Sequence, residues 1–193
     1  MFSRIKKIFI KTCPGFLLNS ALVMVRKTRI IRSKATMIFN PEKAVWFCPC
    51  CGCRFPSFTV GDYSEQYARF NASRYAHTKQ DVLCPVCKSL PRHRILALWG
   101  DRHNELFKEA EILYFVPEYG MKLWMKRKGI TCTTADLYNN EADLKLDIQD
   151  TARPEASCDV IIANHVLEHV DDFRKTLREM YRILRLCGSV SFG

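Results

Sequence analysis

Residues Asp159 to His169 read DVIIANHVLEH, a β-branched run that stops abruptly at a cluster of polar, ligand-capable side chains. Val160, Ile161 and Ile162 suit a strand buried on both faces, and such strands belong to parallel sheets covered by helices. Asn164, His165, Glu168 and His169 then fall at the carboxyl edge of that sheet, where open α/β folds hold their ligands. The neighbouring segments alternate in the same way. Ile112 to Val116 (ILYFV), Ile130 to Ala135, Leu144 to Ile148, Asp159 to Ala163 and Ser189 to Phe192 predict strands, and Met121 to Lys128 predicts a short helix ended by Gly129. The clearest helix runs from about Asp172 to Leu186, with Phe173, Leu177, Met180, Tyr181 and Leu184 at helical spacing. Asp171 and Asp172 can cap its start, and Arg178, Arg182 and Arg185 suit its solvent side and carboxyl end. This alternation predicts an α/β fold with a doubly wound, mostly parallel sheet and right-handed crossovers.

Upstream stand two Cys-x-x-Cys pairs, Cys48 with Cys51 in CPCCG and Cys84 with Cys87 in CPVC. Each places two thiolates on a tight turn, so one tetrahedral Zn²⁺ can take all four; a closed site of this kind is structural. Cys50 and Cys53 form an overlapping pair that leaves the ligand choice open. Cys48 and Cys51 are preferred because Pro49 and Gly52 favour a turn whose amides face the sulfurs. Four buried free cysteines or a redox pair are the plainer alternative. Phe55, Phe58, Tyr63, Tyr67 and Phe70 interleave with Arg69 and Arg74, a pattern that can stack nucleobases but more commonly forms the core of a small module. The SLPRHR segment, Ser89 to Arg94, is expected to join this module to the next helix.

The formal charge of +10 lies almost wholly in residues 1–45, which carry ten Lys or Arg against the single acid Glu42. The remainder is close to neutral, and 48% hydrophobic residues suffice for a globular core and exclude a disordered chain. A basic arm on a neutral body can meet nucleic acid, an anionic membrane surface or an acidic partner. Within it, Gly15 to Val25 follows Arg4, Lys6, Lys7 and Lys11 as a secretory signal would. Asn19 and Ser20 interrupt its apolar run, however, and Arg26, Lys27, Arg29 and Arg32 follow it. It is also shorter than the roughly 20 residues that span a bilayer. An interfacial helix anchored by Phe9, Phe16, Leu17 and Leu18, or an arm docked on the domain, are the two expectations. Ten cysteines in a chain read as unsignalled point to a reducing compartment and a cytoplasmic protein, with peripheral membrane contact through the arm. Three parts are expected: a basic arm over 1–45, a Cys-rich zinc-binding module over 46–94, and an α/β domain over 95–193.

The motifs CPCCG, CPVCKSLPRHR, ILYFVPEYG, TTADL, LKLDIQD and DVIIANHVLEHVDD, in this order, resemble class I S-adenosylmethionine-dependent methyltransferases. More narrowly, they are similar to the type-11 domain subgroup with an amino-terminal Cys-x-x-Cys module. The resemblance covers about Cys48 to Gly193. It implies a Rossmann-like sheet beside a zinc-ribbon-like module, S-adenosylmethionine as cofactor, and methyl transfer to an acceptor that varies across the family. Asp136, followed by Leu137, takes the position of the acid that accepts from both ribose hydroxyls. Asp147 and Ile148 take the adenine side. Pro117, Glu118 and Gly120 replace the usual glycine-rich loop, with Glu118 supplying charge for the methionine ammonium and Gly120 close backbone approach. Asn164 and His165 line the methyl-transfer crevice, and His165 or His169 can act as a base where the acceptor is a hydroxyl. HVLEH differs from the His-Glu-x-x-His of zinc hydrolases, since its acid directly precedes the second His and no third ligand is evident.

LRLCGSVSFG stands where the family has a Pro-Gly-Gly turn and further strands, so the sheet is expected to be incomplete at the carboxyl end: either the chain is a truncated, weakly active or inactive methyltransferase, or a partner or second copy covers the edge. Two functions follow. One is methyl transfer to a small-molecule, glycan or lipid acceptor. The other is an inactive, zinc-stabilised binding module on a methyltransferase scaffold, attached through the arm to nucleic acid or anionic membrane.

Overall fold

The computed structural model describes residues 15–60 and 81–192. The described residues fall into two compact units, one within Met1–Cys48 and Cys53–Cys87, the other within Pro49–Gly52 and Lys88–Gly193.

In the first unit a long helix, α1 (Gly15–Phe39), precedes a small antiparallel hairpin of β1 (Trp46–Cys48) and β2 (Cys53–Phe55), in which Cys48 faces Cys53. A second hairpin pairs β3 (Thr59–Val60) with β4 (Asp81–Leu83). The helix docks on β2 through Ser33, whose buried hydroxyl donates to the Arg54 carbonyl at 2.5 Å. Phe58 packs edge-on against Phe55 and Trp46, at 5.0 and 5.4 Å between ring centres. No described helix is long and apolar enough to cross a membrane. Arg4, Lys6, Lys7, Phe9, Lys11, Tyr63, Tyr67, Arg69, Phe70 and Arg74 lie outside the described residues, as do the side chains of Phe16, Leu17 and Leu18.

The second unit is a parallel four-stranded sheet in the order β6-β5-β7-β8, made of β5 (Ile112–Phe115), β6 (Thr133–Ala135), β7 (Cys158–Ile162) and β8 (Leu184–Ser191). Helices α2 (Pro91–Arg102), α3 (Tyr119–Lys128) and α4 (Phe173–Ile183) connect or flank the strands. Every residue of β5 is buried, as an apolar ILYF run requires in a sheet covered on both faces. The strand order is the α/β architecture expected, and it locates the ligand edge. From β5 the chain steps out to β6 and returns to β7 on the other side, so the carboxyl ends of β5 and β7 form a topological switch point.

α3 ends at Gly129, which takes the left-handed conformation (φ +70°) that a residue without Cβ adopts at no cost. Trp124 is fully buried on the same helix and spends its single N–H on Asp101 at 2.9 Å.

Several element boundaries differ from expectation. Leu144 to Ile148 is no strand: Leu144 makes one isolated bridge to Ala135, and Asp147 turns the chain back toward Asp150. The Asp143 carboxylate takes the Thr134 N–H and hydroxyl and ends the pairing there. α4 stops at Ile183, and β8 begins at Leu184 without an intervening loop, because Ser157 donates to the Ile183 carbonyl and Leu184 pairs with Cys158. The buried face of α4 is Thr176, Met180 and Ile183, whereas Phe173, Leu177 and Tyr181 from the apolar stripe are exposed. Met180 alone of the inner stripe keeps its expected place.

Candidate functional site

Two non-glycine residues with positive φ mark the switch point. Val116 (φ +48°) follows β5, and His165 (φ +53°) follows β7. For a β-branched side chain the left-handed region is a true outlier, costing about 1–3 kcal/mol, and such strain persists where surrounding structure imposes it. Here the imposing contact is the Val116 N–H, which donates to the Ala135 carbonyl at 2.9 Å and so follows β6 for one residue more.

Both residues line a cleft of about 740 Å³ over the strand ends, together with Asp136, Leu137, Asp147, Ile148 and His169. Asp136 is buried, and its Oδ1 accepts from the Tyr138 and Asn139 N–H groups at 2.8 and 2.9 Å. Asp147 Oδ1 accepts from Gln149 N–H at 2.8 Å in the same manner. Each carboxylate is therefore a turn residue that fixes its own orientation and keeps its Oδ2 clear of backbone donors. Ile148 is buried at the cleft wall, Val166 lies beside it, and His165 and His169 are exposed at the rim. His165 Nδ1 lies 2.6 Å from Glu168 Oε1, a contact that fixes the orientation of the ring and turns Nε2 away from the carboxylate. The Glu168 carboxyl sits below its usual range, held there first by its own backbone N–H and also by His165.

Glu118 forms a second centre. It precedes α3, its N–H donates to the Tyr114 hydroxyl at 3.1 Å, and burial pushes that phenol well up. Its carboxylate receives His93 Nε2 at 2.5 Å, an Arg92 N–H at 3.3 Å and Asn164 Nδ2 at 3.4 Å. Because His93 Nδ1 accepts the Leu90 N–H at 3.1 Å, its ring proton is on Nε2 and points at Glu118. Burial alone would raise the Glu118 carboxyl; the bond from His93 and the Arg92 charge outweigh it and hold the group below the ordinary carboxylate range. Gly120 packs tightly, since a Cβ there would meet the Ser89 Cβ at 3.0 Å, so its open face turns to the SLPRHR segment. Pro117 is half-buried between Val116 and Glu118.

Asn164 is 3% exposed, and its Oδ1 has no hydrogen-bond partner among the described residues. It does not line the cleft with Asp136. It lines a second crevice, of about 560 Å³, with Arg92, Ile95, Trp99 and Phe192. The structure thus gathers Asp136, Leu137, Asp147, Ile148, His165 and His169 in one cleft, and joins Glu118 to Asn164 at the neighbouring strand ends. Arg92 and His93 were not legible as site residues. Their contacts span 26 and 25 positions of sequence, and no local pattern announces them.

Cys48, Cys51, Cys84 and Cys87 are all buried, and their sulfurs lie within 4.8 Å of one another. Cys48 and Cys87 are 3.7 Å apart, close to the roughly 3.8 Å edge of a tetrahedron with Zn–S bonds of about 2.3 Å. The Cys87 N–H points to the Cys84 sulfur at 3.5 Å, as an amide supporting a thiolate does. Donor type, number and spacing fit a structural zinc ion. Cys50 and Cys53 are buried but stand outside the cluster. The carbonyls of Pro49 and Cys50 accept from Arg127, at 2.8 and 3.4 Å, and the guanidinium lies over Gly52, where a Cβ would come within 2.4 Å of it.

Among curated proteins none is detectably similar in sequence. Solved structures similar to the chain include the MccD protein (15% identity, 49% of this chain and 50% of that one, TM-score 0.42). Another is a SAM-dependent methyltransferase from Archaeoglobus fulgidus (17% identity, 51% of each chain, TM-score 0.40). The chain spans about half the length of these proteins. The family described as "Methyltransferase domain" matches residues 123–192. That span runs from α3 through the Asp136 turn, Asp147 and the Asn164–His165 corner past the end of β8.

Proposed function

We propose that the α/β unit binds S-adenosylmethionine in the cleft over β5, β6 and β7 and transfers its methyl group to a nucleophile on an acceptor. One observation carries this reading: Asp136, Asp147 with Ile148, and His165 line a single cleft at the switch point of a parallel sheet. The Asp136 Oδ2, held by the turn that occupies Oδ1, is the acceptor for ribose hydroxyls. Asp147 accepts from the adenine amino group, and Ile148 packs on the ring. Glu118 takes the ammonium, and Arg92, already at its side, takes the carboxylate of the same amino-acid end.

The bound cofactor would supply a methyl carbon activated by a sulfonium. The chain's part is to hold and align, because an in-line displacement gains most from keeping nucleophile and carbon in contact. His165, oriented by Glu168, offers Nε2 to a proton leaving a hydroxyl acceptor. The four-cysteine cluster holds zinc as a folding element, and thiolates kept in that state suit the reducing cytoplasm.

A second reading, a scaffold that no longer binds the donor, draws on the ion pair already formed between Glu118 and Arg92. Scanning calorimetry with S-adenosylhomocysteine separates the two. Donor binding should raise the Tm of the chain in proportion to the logarithm of ligand concentration. The Asp136→Asn chain should keep its ligand-free Tm, because the amide oxygen still caps the turn, yet lose most of the shift. No shift for the unaltered chain refutes the donor reading.

A further inference from the structure

We infer that the second crevice seats the methyl acceptor, and that this acceptor is a small apolar molecule, aromatic or aliphatic, bearing one polar nucleophile, and not a sugar. The inference rests on the methyl-donor reading and names the substrate class of that site.

The crevice opens at the same strand ends as the cofactor cleft, on the other side of the loop after β7: Asn164 lines one and His165 the other. Its volume of about 560 Å³ is within the usual range for small-molecule sites. Its walls are Ile95, Leu96 and Trp99 of α2 together with Val190 of β8 and Phe192 just after it. Trp99 is a stiff wall, since its ring stacks on His103 at 4.5 Å and meets the Phe107 ring edge-on at 6.3 Å. Beneath lies a small apolar void of about 20 Å³, shared by Leu96, Trp99 and Val190, which lets the floor yield to an inserted group. Ile95 and Trp99 are exposed, so a long stretch of apolar surface faces solvent beside the reacting edge.

Polar groups are few. Arg92 is committed to Glu118, and Ser191 contributes at the rim. The informative one is Asn164, whose buried Oδ1 lacks a donor while its Nδ2 serves Glu118. An orphaned buried acceptor is costly, and the hydroxyl or amine hydrogen of an acceptor molecule would relieve it. A sugar presents a hydroxyl at nearly every carbon, and each one buried against Ile95, Leu96 or Val190 would carry a similar penalty. In the transfer, the nucleophile's lone pair forms the bond to the methyl carbon, the carbon–sulfur pair returns to sulfur, and the nucleophile's proton passes to His165 Nε2 where the nucleophile is a hydroxyl, or to water where it is an amine.

The test is calorimetric titration of the full chain with 2-naphthol and, separately, methyl β-D-glucopyranoside, each with and without saturating S-adenosylhomocysteine. Saturable 1:1 binding of 2-naphthol is expected, at least about tenfold tighter than the glucoside, a difference worth a single unpaired hydroxyl. Ile95→Arg should weaken it about tenfold while leaving the Tm unchanged, since Ile95 is 67% exposed. Trp99→Ala should also weaken it. Equal or tighter binding of the glucoside, no binding of 2-naphthol, or an affinity indifferent to both substitutions overturns the inference. Failure of 2-naphthol with S-adenosylhomocysteine still binding sinks the acceptor class alone. Failure of S-adenosylhomocysteine itself sinks the donor reading and the inference with it.

Discussion

Single residues carry the site's tension. Val116 and His165 hold positive φ at the ends of the two central strands, where a glycine would rest without strain. Val116→Gly should therefore stabilise the chain by up to about 1 kcal/mol, the relieved strain partly offset by glycine's greater unfolded-state entropy. Urea unfolding measures this, and a loss of stability would show that Val116 is not strained. Sequence made the carboxylates visible, because an acid directly after a strand in an α/β pattern has few positions to occupy. Asp136 stands directly after β6, whereas Asp147 lies in a turn that no strand precedes and was placed by the family resemblance; each caps its own turn. The Arg92–His93–Glu118 group stayed hidden, since two helix-start residues and a loop acid meet only when α2 and the end of β5 are folded against each other.

At the scale of elements, α4 shows where periodicity misleads. The stripe Phe173, Leu177, Tyr181 has the right spacing but the wrong face; Thr176, Met180 and Ile183 turn inward because Ile183 must pass straight into β8. Phe173→Lys should thus change stability by less than about 0.5 kcal/mol, whereas Met180→Ala should cost about 2–5 kcal/mol in thermal or chemical unfolding. A reversed order would restore the stripe as the buried face. The helix start was legible: Asp172 accepts the Lys175 N–H at 2.9 Å, as its residue type and place imply.

α4 is also tied by charge to the loop before β7. Glu179 receives the Arg182 guanidinium at 2.7 and 2.8 Å and the Thr151 N–H and hydroxyl. The Arg182 bonds, joined by those from Thr151, bring its carboxyl down to about 2 despite the opposing effect of burial. A depressed folded pKa gives stability that is fully present above the ordinary value near 4.3 and is lost as pH falls toward 2. Glu179→Gln should accordingly lower the Tm at pH 7, and the gap to the unaltered chain should narrow by pH 3. A gap independent of pH would mean that the carboxylate's charge contributes nothing.

For the whole molecule, one sequence pattern pointed to the sheet and another to the cysteine cluster. The alternation of β-branched runs with helical spacing led to the parallel sheet, since only burial on both faces explains runs such as ILYF and VII. The paired cysteines led to the thiolate cluster, because four soft ligands on two turns have few other uses in a small hairpin segment. Boundaries were less legible where side chains end an element, as Asp143 does at Leu144. Removing metal with a strong chelator under reducing conditions should unfold the hairpin segment, seen as loss of amide protection around Cys48 and Cys84, and added Zn²⁺ should restore it. Unchanged protection would leave the cluster as packed thiols.

The proposed donor site is the one cleft lined by Asp136 and Asp147. Isothermal titration of S-adenosylhomocysteine into the chain and into its Asp136→Asn form tests it most directly. A single site is expected, weakened about 10- to 100-fold by the substitution through loss of charge-assisted bonds to the ribose. Equal affinity in the two proteins, or no heat in either, would contradict it.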